Sequence, residues 1–174
     1  MGYAGGSRPD PTYHSLGDHT ETLQIDYDPD KVSYAELLDV FWTSHHPTHR
    51  AYSRQYMSAI FCADEAQRRI ALESREKRAD FTRTQLFTEI SPLEAFYRAE
   101  DYHQHYYLRG HADLVAELRG YTEAQFEDST VAARLNGYVG GDGTLAQLEA
   151  ELGSFGLSEA AGRKLRALVK AANP

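Results

Sequence analysis

The stretch TETLQIDYDP, residues 20–29, alternates strictly: Glu21, Leu23, Ile25 and Tyr27 fall on one side, and Thr20, Thr22, Gln24 and Asp26 on the other. A period of two is the signature of a strand with one buried face, and Asp28-Pro29 supplies its stop. The segment predicts a strand with Glu21 at the head of its apolar face. If that face looks inward, desolvation disfavours the charged carboxylate, and a carboxylic acid kept protonated near neutral pH is a general acid. If Glu21 lies at an exposed strand end it simply meets water, and the pattern alone leaves both readings open.

Outward from this strand, SYAELLDVFWTSHH (33–46) predicts a helix, with Ser33 and Glu36 as a capping box, Leu37, Leu38, Phe41 and Trp42 as its apolar stripe, and Pro47 as its stop. RQYMSAIFCA (54–63) predicts a second strand. Asp64 caps a long helix over roughly 65–84, and LFTEIS (86–91) is a short strand. SPLEAFYRAEDYHQHYYL (91–108) predicts a further helix or helical turn with Pro92 near its start. Upstream, residues 2–19 read as a loop, loosened by Gly2, Gly5 and Gly6 and stiffened by Pro9 and Pro11. Beyond Leu108 the chain becomes short helices separated by glycine, with Thr122 and Gln125 as another capping box and GYVGGDG (137–143) as an interhelical linker. The expected division is therefore an α+β domain over 1–108 and an α-helical extension over 109–174.

The formal net charge of −8 speaks against nucleic acid or an anionic membrane as partner. No run approaches the roughly 18 apolar residues of a membrane span, and no charged leader precedes an apolar segment. Cys62 is the single cysteine, so no intrachain disulfide forms, and a reducing, cytoplasmic setting is expected. Two histidine groups invite a metal reading: His45, His46 and His49, and His103, His105 and His111. Pro47 breaks the helical spacing of the first group, and residues two apart do not share a helix face in the second, so capping and surface roles are expected and no metal. Cys62 has Asp64 and Glu65 beside it, which raise a thiol pKa, and reads as a half-buried strand residue, not a nucleophile.

The ordered blocks GYAGG, PTY, GDHTETLQIDYDP, SYAELLDVFW, HHPT, RQYMSAIF and FYRAEDYHQHYYL, running from Gly2 to Leu108, together resemble the A-class peptide methionine sulfoxide reductases. The tail from LRGH, including VAARLNGY, is similar to an extension found in one branch of that family. The resemblance implies a ferredoxin-like, two-layer α+β sandwich. It also implies reduction of methionine-S-sulfoxide, in proteins or as the free amino acid, by attack of a cysteine thiolate on sulfur. A glutamate and two tyrosines protonate and hydrogen-bond the departing oxygen, and these match Glu21, Tyr13 and Tyr56. No cofactor is bound, and thioredoxin or a dithiol is the implied external reductant.

The chain departs from the family pattern in several places. The Gly-Cys-Phe-Trp-Gly nucleophile motif does not occur in it, nor do the usual C-terminal recycling cysteines, though Val139 loosely echoes one position. HRAYSRQY carries no aspartate ahead of Tyr56, and Arg54 is not its equivalent. Cys62 lies six residues beyond Tyr56, and along one strand at about 3.3 Å per residue that is roughly 20 Å, too far to substitute. The expectation is a chain shortened at its N-terminus, inactive as it stands, with the nucleophile encoded upstream of Met1 and the first strand and helix missing. A sheet edge or core face is then uncovered, which lowers stability or promotes self-association. The alternative is a catalytically dead relative that binds oxidised methionine or a protein partner.

Overall fold

The computed structural model describes residues 1–172 and divides into two compact units, Met1–Glu100 and the residues from Asp101 onward. The division falls eight residues before the expected one, because Leu108 is fully buried in the core of the second unit.

The first unit is α+β. Strand β1 (Gly2–Ala4) lies between β2 (Thr20–Thr22) and β5 (Phe96–Arg98), antiparallel to both, with Tyr3 opposite Glu21 on one side and Tyr97 on the other. The residues expected to open a loop thus form the central strand of a sheet, with Tyr3 and Ala4 buried. Three residues cannot display a period, and their partners lie far away in sequence. β2 is also shorter than its alternation predicts. The pairing strand is only three residues long, so the ladder stops at Thr22, and Leu23 and Ile25 are 62% and 52% exposed. The apolar face that was to hold Glu21 inward is not buried.

Helix α1 (Tyr34–Thr43) starts at the capping box read from sequence: Ser33 Oγ accepts from the Glu36 N–H at 3.2 Å, and the Glu36 carboxylate accepts from the Ser33 N–H at 2.8 Å. It ends at Thr43, ahead of Pro47, and buries Leu38 and Trp42. A parallel pair follows, β3 (Ala59–Cys62) and β4 (Glu89–Pro92), joined through helix α2 (Glu65–Thr82), which Asp64 caps by accepting from the Gln67 N–H at 2.7 Å. The expected strand over 54–63 is divided: Arg54–Tyr56 is a 3-10 turn, and only Ala59–Cys62 is strand. The helix or turn expected over 91–108 is also corrected. Pro92 closes β4, Phe96–Arg98 pair with β1, and the helical turns begin only at Asp101. The core of this unit gathers Leu38, Trp42, Ile60, Cys62 and Ala71, with Trp42 Nε1 donating to Ser74 Oγ at 3.0 Å.

The second unit is helical: α3 (Tyr106–Arg109), α4 (Ala112–Glu117), α5 (Glu123–Glu127), α6 (Thr130–Gly140), α7 (Leu145–Glu151) and α8 (Glu159–Ala172). Its core includes Leu108, Leu114, Leu135, Leu148, Leu165 and Val169. Thr122 with Gln125, and Thr144 with Gln147, form capping boxes. The expected linker GYVGGDG is half helix, since residues 137–140 complete α6 and Gly141, at φ 97°, ends it in the left-handed conformation glycine accepts.

Candidate functional site

Tyr13, Glu21 and Tyr56 come from three segments of the first unit: the long β1–β2 loop, the middle of β2, and the end of the 3-10 turn. Glu21 is half-buried, and Gln55 Nε2 donates to its carboxylate at 2.7 Å. Tyr13 and Tyr56 are 37% and 46% exposed, so both phenols reach solvent. The Tyr56 phenol is pushed above its ordinary value, first by partial desolvation and then by the neighbouring Tyr13 and Glu21, with a hydrogen bond between the Tyr56 and Tyr13 hydroxyls adding to this. The three side chains are therefore electrostatic neighbours. Two hydroxyls and a carboxyl group that lie near one another at the surface can hydrogen-bond an electron-rich oxygen. The ring of Tyr52 tilts against Tyr56 at 5.5 Å between centroids and is itself almost fully exposed.

Hydrogen bonds that the sequence reading missed hold the β1–β2 loop in place. The Asp18 carboxylate accepts from the N–H groups of Ser7 and Arg8 and from Ser7 Oγ, which holds its pKa down at about 2, the Ser7 backbone bond being the main cause. Buried His19 accepts from the Gly6 N–H at 3.2 Å, and its Nε2 lies 2.7 Å from the Arg8 carbonyl. Gly5 sits at φ +75° with Phe61 carbons within 2.5 Å of where a Cβ would be, so only glycine fits there. Glu100 anchors the far part of the loop: its carboxylate accepts from the Tyr13 N–H at 3.0 Å and from the Tyr3 hydroxyl at 2.7 Å. The signal for these residues was the short run GDH and the acidic AED, which no local pattern marks as structural.

A groove of about 750 Å³ lies beside the cluster, lined by Glu21, Leu23, Ile25, Leu37, Phe41 and Phe96 among others. Glu21 lines it, whereas Tyr13 and Tyr56 do not. Cys62 is elsewhere: it is 3% exposed in the α1–α2–β3 core, and burial pushes its thiol pKa up. Its separation from Tyr56 cannot be counted along one strand as expected, because Tyr56 belongs to the preceding turn. Burial and the raised pKa leave the Cys62 thiol little exposed and little ionised.

Among the described residues no three His, Cys, Asp or Glu side chains come together in a metal-binding arrangement. His45 Nδ1 lies 2.6 Å from the Phe41 carbonyl, and His105 Nε2 lies 3.0 Å from that of Glu127. His46 and His49 face each other at 5.3 Å, and His111 precedes α4. No described helix is long and apolar enough to cross a membrane.

The profile of the family described as peptide methionine sulfoxide reductase matches residues 1–135, and that of the selenoprotein methionine sulfoxide reductase A helical domain matches residues 120–162. A peptide methionine sulfoxide reductase of Drosophila melanogaster is 46% identical over 163 residues, covering 91% of this chain and 65% of that protein. Peptide methionine sulfoxide reductase A5 of Arabidopsis thaliana is 40% identical over 145 residues, covering 79% of this chain and 57% of that protein. The chain thus spans about 57–65% of the length of these two relatives. The crystal structure of Mxr1 from Saccharomyces cerevisiae in reduced form superposes with a TM-score of 0.57 at 28% identity, covering 70% of this chain and 71% of that one. The chain belongs to the peptide methionine sulfoxide reductase family.

Proposed function

We propose that this chain binds methionine-S-sulfoxide, free or in peptides and proteins, and polarises its oxygen for reduction. The observation that carries this reading is that Tyr13 and Glu21 are electrostatic neighbours of Tyr56, with both phenols open to solvent. In a thiol-dependent reduction a thiolate attacks the sulfoxide sulfur, the S–O bond breaks, and the oxygen leaves only as it gains protons. Phenols that hydrogen-bond the oxygen, with Glu21 as the acid, lower that barrier. The attacking thiolate is not Cys62, which is buried with a raised pKa and so has little thiolate to offer. A thiol presented from outside this core supplies the electrons, and an external reductant such as thioredoxin or a dithiol restores it, as fits a cytoplasmic protein.

A second reading, binding without turnover, is favoured by that same burial of Cys62. One experiment addresses both. The chain is titrated calorimetrically with three otherwise identical peptides carrying methionine-S-sulfoxide, methionine-R-sulfoxide or methionine, and conversion of the S-sulfoxide peptide to the methionine peptide is followed in the presence of dithiothreitol. Preference for the S-sulfoxide is expected, and Tyr56→Phe, which removes one hydrogen bond of about 0.5–1.5 kcal/mol, weakens it about 2- to 10-fold. Turnover selects the first reading and binding alone selects the second. Equal affinity for all three peptides overturns both.

A further inference from the structure

We infer that Arg54 is a positioning residue that joins the three segments carrying Tyr13, Glu21 and Tyr56. The guanidinium spans both ends of the β1–β2 loop: Arg54 Nε donates to the Asp18 carbonyl at 2.7 Å and a terminal N–H donates to the Gly5 carbonyl at 2.8 Å. Its own carbonyl accepts from the hydroxyl of Thr20, a buried residue directly before Glu21, at 3.0 Å. Two residues on stands Tyr56, and the residue between them, Gln55, holds the Glu21 carboxylate. One side chain and one carbonyl thus tie loop, strand and turn together where the tyrosine hydroxyls must meet.

The geometry demands arginine. Two N–H groups fixed in a plane reach two separate carbonyls at once, whereas a lysine ammonium is a single point charge on a flexible stem and cannot hold both in the same arrangement. Aligning donors to within a fraction of an ångström is what lets them act on a developing charge. Arg54 touches neither ligand nor the reacting atoms in this arrangement, and it acts through Tyr56 and Tyr13.

The inference rests on the reading of the three-residue cluster given above, and the test separates the two because its main readout needs no ligand. Protein labelled with carbon-13 at the tyrosine ring carbon that bears the hydroxyl is titrated by NMR, the Tyr56 signal being assigned by its loss in Tyr56→Phe. Desolvation raises this titration most, and the neighbours that raise it further are Tyr13, Glu21 and Tyr52. Arg54→Lys keeps the charge and removes the fork, so the turn that carries Tyr56 is no longer tied to the loop that carries Tyr13, and the Tyr56 midpoint falls toward the free-phenol value of about 10. Sulfoxide affinity, where the wild type has any, falls about 2- to 10-fold with it. An unchanged Tyr56 midpoint in a folded but less stable Arg54→Lys protein overturns the inference and leaves a merely structural residue. A second measurement stands on the unaltered protein: the Arg54 Nε–H proton must exchange slowly with water, and rapid exchange overturns the inference even where Arg54→Lys does not fold.

Discussion

Cys62→Ala separates two roles that a lone cysteine in this family could hold. The side chain is 3% exposed and packs with Leu38, Trp42, Ile60 and Ala71. Truncation removes one buried heavy atom, worth about 0.8 kcal/mol if it is treated as a methylene. The void it leaves adds a comparable amount, so the expected loss is about 1–2 kcal/mol, in the range of the smallest core truncations. Tyr34 does not change this much: its hydroxyl is buried without a hydrogen-bond partner, and although thiol and phenol raise or lower each other's ionisation, they do not close a normal hydrogen bond. Trp42, the single tryptophan, sits in the same core and makes the assay simple. Urea unfolding followed by its fluorescence should show a lower midpoint with an unchanged slope. Binding of the S-sulfoxide peptide should stay within about twofold of wild type, since a change smaller than about 0.4 kcal/mol is what a distant site transmits. In the unaltered protein the thiol should react with a disulfide reagent only as fast as the core opens. Loss of sulfoxide binding in Cys62→Ala with stability intact, or native thiol labelling as fast as in unfolded protein, would refute the placement of Cys62 in a structural core.

Three further outcomes follow from other parts of the chain. Leu165→Ala hollows the fully buried centre of the helical unit and should cost about 2–5 kcal/mol in a thermal or urea melt followed by circular dichroism, and a loss below 1 kcal/mol would contradict that core. Ser33→Ala deletes the capping-box hydroxyl of α1 and should destabilise the first unit by about 1 kcal/mol, read again from Trp42. Asp18 titrates at about 2 in the folded protein, below the roughly 3.9 of a free aspartate, so its hold on Ser7 and Arg8 is complete above pH ~4 and is lost as pH falls through 2. The amide NMR shifts of Ser7 and Arg8 should move over that window, and shifts that stay flat to pH 2 would remove the proposed clamp.

The parts of the fold legible in the sequence are those whose signals are local. Ser33 with Glu36, Asp64 and Thr122 with Gln125 each announce a helix within four residues, and each helix is there. The strands β1 and β5 were missed because nothing in Gly2–Ala4 or Phe96–Arg98 alone distinguishes strand from loop or helix; each is a strand because the other pairs with it some 95 positions away. β2 shows the converse. Its alternation runs to Tyr27, but the partner strand ends and the exposed Leu23 and Ile25 follow no ladder. The site divides in the same way. Tyr13, Glu21 and Tyr56 were reached through a family resemblance, while Arg54, Asp18, His19 and Glu100 went unread because they act on backbone groups 10 to 87 positions distant.

That contrast bears on how the site works. Confinement against a buried apolar face does not hold Glu21, since Leu23 and Ile25 on that face are exposed and line a groove. What places Glu21 is instead its register opposite the buried Tyr3 and the amide of Gln55 on its carboxylate. Tyr13 is fixed by Glu100 and Tyr56 stands two residues from the Arg54 joint, so each of the three donors has a holder that owes nothing to the groove. A cluster held in this way is already ordered before any ligand arrives, and ordering is the larger part of what such a site must supply. On the proposed reading, oxygen recognition is therefore separable from the sulfur chemistry, and Glu21, the one member of the cluster that also lines the groove, is where the two would meet.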